Sequence, residues 1–439
     1  MNTRNKIATL LVVAAAAVGA AFAYAWEPAI AALPALPPPG GDQALLVRGS
    51  HVASTGDCMV CHTAANGKPF AGGLPLNTPF GTIYSTNITP DAETGIGTWS
   101  LEAFTRAMRA GVSRDGHLLY PAFPYPHFTR MSDDDIGALY AYLMARTPVH
   151  APARANQLTF PLGFRPLVAG WNLLFLQKGP LPAPGTAQSD EWLRGRYLVE
   201  GAAHCAACHT PMNLLGAEKG SQPFAGNLID GWEAPPLNAL ASAPRPWTKE
   251  QLVSYLRTGL ASEHGAAAGP MLPVTQHLAD VPESDVRAIA TYIMGLQPAA
   301  PAAAQAEPAK AAASASVAAA AVPAGQRVDA GAALFNGSCA GCHGGAAPMR
   351  TIGDRPALGL STAVNADSAR NAINLVLGGN PWGGSASAHY MPPFADVLSD
   401  EQIAEVLRYV RASATQRPAW PDLQNEVAKV RKEKEALPK

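Results

Sequence analysis

Cysteine is scarce in this chain. Six residues among 439 fall far short of the roughly 8–10% that marks a disulfide scaffold. Charge is scarce as well, at 15% of residues against about 25% in an ordinary soluble protein. Neither sign is in surplus: 32 Lys+Arg face 33 Asp+Glu, a formal net charge of −1. That balance leaves no electrostatic basis for global nucleic-acid steering. With 48% hydrophobic residues, the chain is not a disordered polyelectrolyte either. No Gly-rich dinucleotide fingerprint, P-loop or His-Glu-x-x-His motif is present, so nothing in it looks like a substrate site. Gly and Pro are abundant, at 40 each. The length suits two to four domains.

Long apolar runs are missing except at the start. Arg4 and Lys6 precede an apolar stretch from Ile7 to Trp26, which Glu27 ends. A charged segment followed by an apolar one is an export signal. At 20 residues the run is long for a signal and close to the length of a bilayer span. An uncleaved anchor over residues 1–26 is favoured over a cleaved signal, for which Ala21-Phe22-Ala23 and Ala23-Tyr24-Ala25 offer sites. Either way the remainder is exported. The expected location is the periplasmic face of the inner membrane, or the free periplasm if the segment is cleaved.

The six cysteines form three copies of one motif: Cys58-Met59-Val60-Cys61-His62, Cys205-Ala206-Ala207-Cys208-His209 and Cys339-Ala340-Gly341-Cys342-His343. The surrounding sequence repeats with them. Helical patterns over residues 45–55, 192–202 and 330–336 precede the motifs. After the first two comes a helix opened by Trp99 or Trp247 and closed by Gly111 or Gly259. Ser100 and Thr248 suit its N-caps, and the glycines its C-caps. In the third copy residues 367–378 fill this place without the Trp.

Each copy ends in another helix, with acceptors and negative charge at its start (Ser132 to Asp135, Glu283 to Asp285, Ser399 to Glu401). Matching apolar faces follow: Ile136/Leu139/Tyr142, Val286/Ile289/Tyr292 and Ile403/Val406/Tyr409. Strand signal is weak. The expected fold is all-α, with domains at 42–150, 189–297 and 326–414. An Ala/Pro-rich linker spans 298–325, and a charged, amphipathic tail, expected to form a surface helix, covers 415–439. The connector 151–188 is Pro- and aromatic-rich, too apolar for a free linker, and is expected to pack across the first two domains.

Cys-x-x-Cys-His is the attachment motif of c-type haem. Two thiols one helical turn apart can each bond one vinyl group of a porphyrin, and the adjacent His reaches the iron as proximal ligand. A structural zinc site needs four ligands together, whereas these pairs lie more than a hundred residues apart. Three haems c are therefore expected on Cys58/Cys61, Cys205/Cys208 and Cys339/Cys342, with His62, His209 and His343 as fifth ligands. The sixth ligand is sought in the loop before each final helix. Met391 is the candidate in the third copy, with Met349 as rival. Met271 is the candidate in the second, with His277 as rival. In the first copy Phe123 stands where a Met is expected and cannot bind iron. His127 is the candidate there, with Met131, Met108 or an open site as alternatives. A bis-His iron lies lower in potential than a His/Met one. His51, His117, His150, His204 and His264 are expected at the surface or beside haem propionates. Met59, Met144, Met212 and Met294 are expected in the core.

The chain resembles the three-haem cytochrome c subunits of bacterial membrane-bound dehydrogenases, the family serving alcohol and gluconate-type enzymes. The resemblance rests on Gly72-Gly73, the run from Pro79 to Asp91, Gly95 to Trp99, Leu119 to Ala122, Ala138 to Leu143, Gly170 to Asn172, Arg196 to Val199 and Ala203 to Cys205. It spans about residues 42–414. Relatives with alcohol or sugar-acid partners carry Met in the first-haem loop. The Phe123 variant, followed by His127-Phe128, looks like subunits paired with molybdenum hydroxylases such as aldehyde, nicotinate and isoquinoline dehydrogenases. The resemblance implies an electron-transfer subunit with no catalytic residue of its own. Its partner would be a molybdopterin, quinoprotein or flavoprotein dehydrogenase subunit, and its acceptor ubiquinone or a terminal oxidase. The alternative is a multihaem peroxidase or reductase acting at an open first iron, which would need an acid–base group nearby.

Overall fold

A computed structural model describes residues 3–34, 42–298, 329–345, 347, 357–381 and 390–435. They form two compact units. One comprises Met1–Ala187, Tyr197–Cys205 and Asn213–Ala217; the other comprises Gln188–Arg196, Ala206–Met212 and Glu218–Lys439. Nearly all of the linker expected over 298–325 lies outside the described residues, as does Met349.

Helices frame each repeat. The first helices are Gln43–Thr55, Asp190–Tyr197 with a π-helical turn Leu198–Ala202 continuing it, and Ala330–Ser338. The final helices are Asp133–Met144, Glu283–Gly295 and Asp400–Ala414. Ser132 and Ser399 cap two of these through their hydroxyls. The other begins after Pro282, which makes no side-chain cap bond, so only Glu283 and Asp285 favour its N-terminus, through charge.

One glycine sets how each pair crosses. A Cβ on Gly49 would lie 2.1 Å from the Ala138 carbonyl oxygen, one on Gly195 2.0 Å from that of Ala288, and one on Gly331 2.4 Å from that of Glu405. Backbone therefore touches backbone in all three repeats, beside Tyr142, Tyr292 and Tyr409. In two repeats the residue before the glycine ties the crossing. Arg48 Nε donates to Asp135 at 2.8 Å, and Arg194 donates twice to Asp285, at 2.9 and 2.8 Å.

The middle helices are Leu101–Ala110, Lys249–Thr258 and Arg370–Gly378, followed by left-handed Gly111 and Gly259 and by Gly379, which is extended in ψ at a positive φ. Arg109 and Arg257 each donate to the carbonyl just ahead of the final-helix start, at Met131 (2.9 Å) and Val281 (2.6 Å). In the third repeat Leu377 holds that place in the sequence. The matching carbonyl, Leu398, is reached instead by Arg431 at 2.9 Å. Arg431 belongs to a C-terminal helix, Leu423–Glu435. The helix expected in the tail is present, and its apolar face, Leu423, Val427 and Val430, is buried in the third repeat's core with Phe335, Ile373 and Ile403. Buried Arg370 anchors the same helix through Glu426 and Glu433.

The all-α expectation holds for the frame but misses short antiparallel pieces in the loops. Pro75–Thr78 pairs with Gly81–Tyr84, which also takes Gln157–Leu158; Asn227–Ile229 pairs with Trp232–Ala234, and Leu260–Ala261 with Gly265–Ala266. Pieces of two to four residues are too short for a period-two signal.

Within the first unit the connector forms a helix, Leu167–Phe175. Its Val168 and Ala169 are buried with Val112 and Leu118. Its Asn172 accepts from the Tyr125 hydroxyl at 2.6 Å, and Trp171 donates to the Leu215 carbonyl at 2.9 Å. The N-terminal segment is a helix, Thr3–Ala25, with Phe22 against Phe164. Several of its side chains lie outside the described set. Among the described residues no helix is long and apolar enough to cross a membrane.

The glycine crossings give a direct test. Gly49→Ala and Gly331→Ala are each expected to lower stability by about 1–3 kcal/mol, the usual range for overpacking. Gly137→Ala, with nothing within 4 Å of its Cβ position, is expected to gain about 0.5–1 kcal/mol. Denaturant melts of the full chain read both, and equal effects at the three sites would contradict the crossing argument.

Candidate haem-attachment sites

Each motif forms one helical turn. Cys58–Cys61 is a helix with His62 at its C-cap, whose N–H bonds the Cys58 carbonyl at 3.0 Å. Cys205–His209 is likewise helical. In the third copy the His343 N–H reaches the Cys339 carbonyl at 2.8 Å. The turn places both cysteines and the histidine of each motif together, as the porphyrin requires. All six cysteines are half-buried. Burial first, and the Cys61 thiol second, push Cys58 up to about 12. Burial likewise pushes Cys339 up to about 11. Burial thus disfavours the ionised form of both thiols.

The histidines fit an iron-binding role by the same test. His62 Nδ1 lies 2.6 Å from the Thr86 carbonyl, and His209 Nδ1 lies 2.7 Å from that of Pro235. A carbonyl only accepts, so the proton sits on Nδ1 and Nε2 carries the lone pair. This is the outer bond that fixes tautomer and ring orientation in metal-ligating histidines. Burial depresses both pKa values, with the carbonyl bonds opposing it. His343 is half-buried.

The loops that bring these carbonyls into place are built alike in the first two repeats. Thr63 and Thr210 follow the motif histidines, and their hydroxyls accept from the N–H of Phe70 (3.2 Å) and Phe224 (3.0 Å). Both phenylalanines are left-handed and buried. Gly72 and Gly226 then donate to the His62 and His209 carbonyls, at 2.7 and 2.8 Å. The sequence reading did not single out Thr63, Phe70, Thr210, Phe224 or Gly226. The signal was the tetrapeptide Pro-Phe-Ala-Gly, present at 69–72 and again at 223–226.

The candidate sixth ligands occupy different places on a common loop. A Cβ on Gly111 would meet the Tyr125 ring at 2.5 Å, one on Gly259 would meet Thr275 Oγ1 at 3.1 Å, and one on Gly379 the Met391 carbonyl at 2.3 Å. Each loop thus folds back over its cap glycine. Met391 sits at that contact, paired with Asn380 through two backbone bonds of 2.8 and 3.0 Å. Met271 opens the helix Met271–Leu278 four residues before Thr275. Phe123 lies two residues before Tyr125 and packs on Phe128. His127 lies two residues after Tyr125, the place that His277 holds after Thr275. The His127 and His277 carbonyls accept alike, from Arg130 and Asp280. His127 is only 4% exposed, and its Nδ1 lies 3.0 Å from the Glu200 carbonyl. Met271 and Met391 are half-buried, whereas Met108 and Met131 are core residues.

Several background expectations change. Of its two expected places, His264 is not at the surface: it is buried, stacked on Trp247 at 3.7 Å. His204 is half-buried, with a hydrogen bond described below. His117 and His150 do lie at the surface, beside Asp115 and the Asp91/Glu93 pair. Met144 is in the core, but Met59 and Met212 are exposed. Met59 occupies the motif turn and Met212 a bridge to Glu218, so neither lies on the buried face of a frame helix.

Comparison with known proteins agrees with this geometry. Residues 46–147 and 193–297 match the family model described as Cytochrome c. Residues 326–410 match the model described as Cytochrome C oxidase, cbb3-type, subunit III. A nicotinate dehydrogenase subunit of Pseudomonas putida is 48% identical over 416 residues, covering 94% of this chain but 34% of its own length. The chain therefore spans about a third of that relative. The cytochrome c subunit of the quinone-type alcohol dehydrogenase of Gluconobacter oxydans is 38% identical, covering 84% of this chain and 78% of that one. The gluconate 2-dehydrogenase cytochrome c subunit of Pantoea cypripedii is 36% identical, covering 85% and 86%.

Thr210→Val tests the role of this loop. It leaves the buried Phe224 N–H without its acceptor, at a cost of about 1–3 kcal/mol. Thermal melts should show the loss, and an unchanged melting temperature would contradict this role for Thr210.

Proposed function

The chain belongs to the family of cytochrome c subunits of alcohol and gluconate dehydrogenases, and from that premise we propose that it is a three-haem electron relay serving a separate catalytic subunit. The observation that carries this is the triplicate Cys-x-x-Cys-His turn, with a carbonyl-anchored Nδ1 at His62 and His209. Haem c held in each turn supplies one-electron iron redox chemistry. Cys58/Cys61, Cys205/Cys208 and Cys339/Cys342 hold it covalently. His62, His209 and His343 offer Nε2 as fifth ligand. The Thr86 and Pro235 carbonyls raise the basicity of that nitrogen in the first two sites.

Met271 and Met391 complete the second and third sites with thioethers, and His127 completes the first. Thioethers raise the potential, so the first site is the lowest of the three. The burial of His127 and its Nδ1 bond to Glu200, the same kind of bond that orients His62, support the assignment. The partner is a dehydrogenase of the molybdenum hydroxylase type, acting on an aldehyde or an N-heterocycle. The Phe123–His127 loop and the similarity to the nicotinate dehydrogenase subunit support that class. Electrons leave toward ubiquinone or a terminal oxidase.

We place the protein on the periplasmic face of the inner membrane. An exposed apolar ridge in the first unit supports this: Leu173, Leu174 and Phe160 are 68%, 67% and 96% exposed, on the segment that packs against the N-terminal helix. Vesicle flotation tests it. Leu173→Glu with Leu174→Glu should move protein from the floating to the soluble fraction, and an unchanged distribution would contradict the placement.

The relay itself is tested by the pyridine haemochrome of purified full-length protein, expected to give three haems per chain; two would overturn the reading. Met391→His is expected to lower the potential of one haem and leave the others unchanged. No change in potential would remove Met391 as a ligand.

A further inference from the structure

His204 directly precedes Cys205, and its backbone is left-handed, with φ 40°. A non-glycine residue rarely takes that conformation unless its surroundings hold it there. What holds it is a hydrogen bond: Nε2 lies 3.2 Å from the carbonyl oxygen of Gly56, two residues before Cys58. Both ends of the contact, and both cysteines, belong to the first unit. The ring also packs edge-on against Phe128 at 5.5 Å. A Cβ on Gly56 would lie 3.3 Å from the Ala202 carbonyl and 3.6 Å from Cys58 Sγ, so the approach of the two segments leaves little space there.

The preceding turn explains why the ring reaches Gly56. The crossing glycine lies nine residues before Cys58 in the first repeat and ten before Cys205 in the second. The π-helical turn Leu198–Ala202 absorbs the extra residue. Its Glu200 carbonyl lies 3.0 Å from His127 Nδ1 and accepts from Arg130 at 2.9 Å. The first repeat has Asp57 at the matching left-handed position before Cys58.

We propose that His204 is a bonded bridge between the first and second haem-attachment turns. The path runs from Cys205 through the His204 backbone and ring, across the Nε2–H to Gly56 carbonyl bond, and through Asp57 to Cys58. One electron leaves the reduced site and arrives at the oxidised one; no bond forms or breaks and no proton moves. A path of covalent bonds with one hydrogen bond couples two sites more strongly than a van der Waals gap. His204 is a positioning residue and does not ligate iron. The inference rests on the relay reading above, and the test separates the two.

The test uses full-length protein with its haems, one-electron reduction by a radiation pulse, and the optical rate of redistribution between haems. His204→Phe keeps the ring volume and removes the donor. His204→Asn suits the left-handed backbone but is too short to reach Gly56. His204→Gln restores a donor of similar reach. Phe and Asn are expected to slow the first-to-second redistribution severalfold, with haem potentials and absorption spectra unchanged. Gln is expected to recover most of the rate. Unchanged rates in Phe and Asn would overturn the bridge and leave the relay standing. Slowing accompanied by shifted potentials and no rescue by Gln would assign His204 a merely structural role and also overturn it. Absence of redistribution in the unaltered protein would overturn both.

Discussion

The contact on which the rest depends is the approach of two helix backbones at a single glycine. At Gly49, Gly195 and Gly331 any Cβ would collide with a carbonyl of the final helix. The crossing sets where the first helix ends, and the cysteines begin within a few residues of that end. Small differences in spacing then have structural consequences. One extra residue in the second repeat becomes a π-turn that redirects carbonyl 200 toward His127 and Arg130. In the third repeat the crossing glycine is only eight residues before Cys339, and the motif follows the helix with no left-handed residue between.

Around that frame the loops do the chemical work. In the first two repeats a threonine after the motif histidine holds a left-handed phenylalanine, and the loop returns a carbonyl to Nδ1. The third repeat has Gly344 in place of the threonine and recruits the C-terminal helix instead. Arg431 supplies the guanidinium that Arg109 and Arg257 supply elsewhere. Within the second unit, Asn371 pairs both its amide N–H and its oxygen with the Glu233 backbone. Two residues on, the Pro235 carbonyl holds His209. Helix 370–378 of the third repeat thus steadies the strand that orients His209 of the second.

The frame was legible in the sequence. The capped middle helices run as expected, from Ser100 to Gly111 and Thr248 to Gly259, because hydroxyl caps, cap glycines and 3.6-residue periodicity are local signals. The motif turns were legible for the same reason. Three things were not. Phe70 and Phe224 take a backbone conformation that nothing in their side chains announces. His264 is buried by stacking on Trp247, a partner 17 positions earlier that no periodic pattern links to it. The tail's Leu423, Val427 and Val430 fall at i, i+4 and i+7, which announces an amphipathic helix but not that its apolar face fills the third repeat's core. His127 lies between these cases. That Phe123 stands where a methionine is expected was visible, but the place His127 shares with His277 and its bond to residue 200 required the fold.

The central claim, a relay of three haems with unequal ligand sets, meets its most direct test in a spectroelectrochemical titration of the intact chain. The account predicts three one-electron steps per polypeptide, two from His/Met sites and one at lower potential from the site completed by His127. Two steps, or three in which the first-repeat haem is not the lowest, would contradict it.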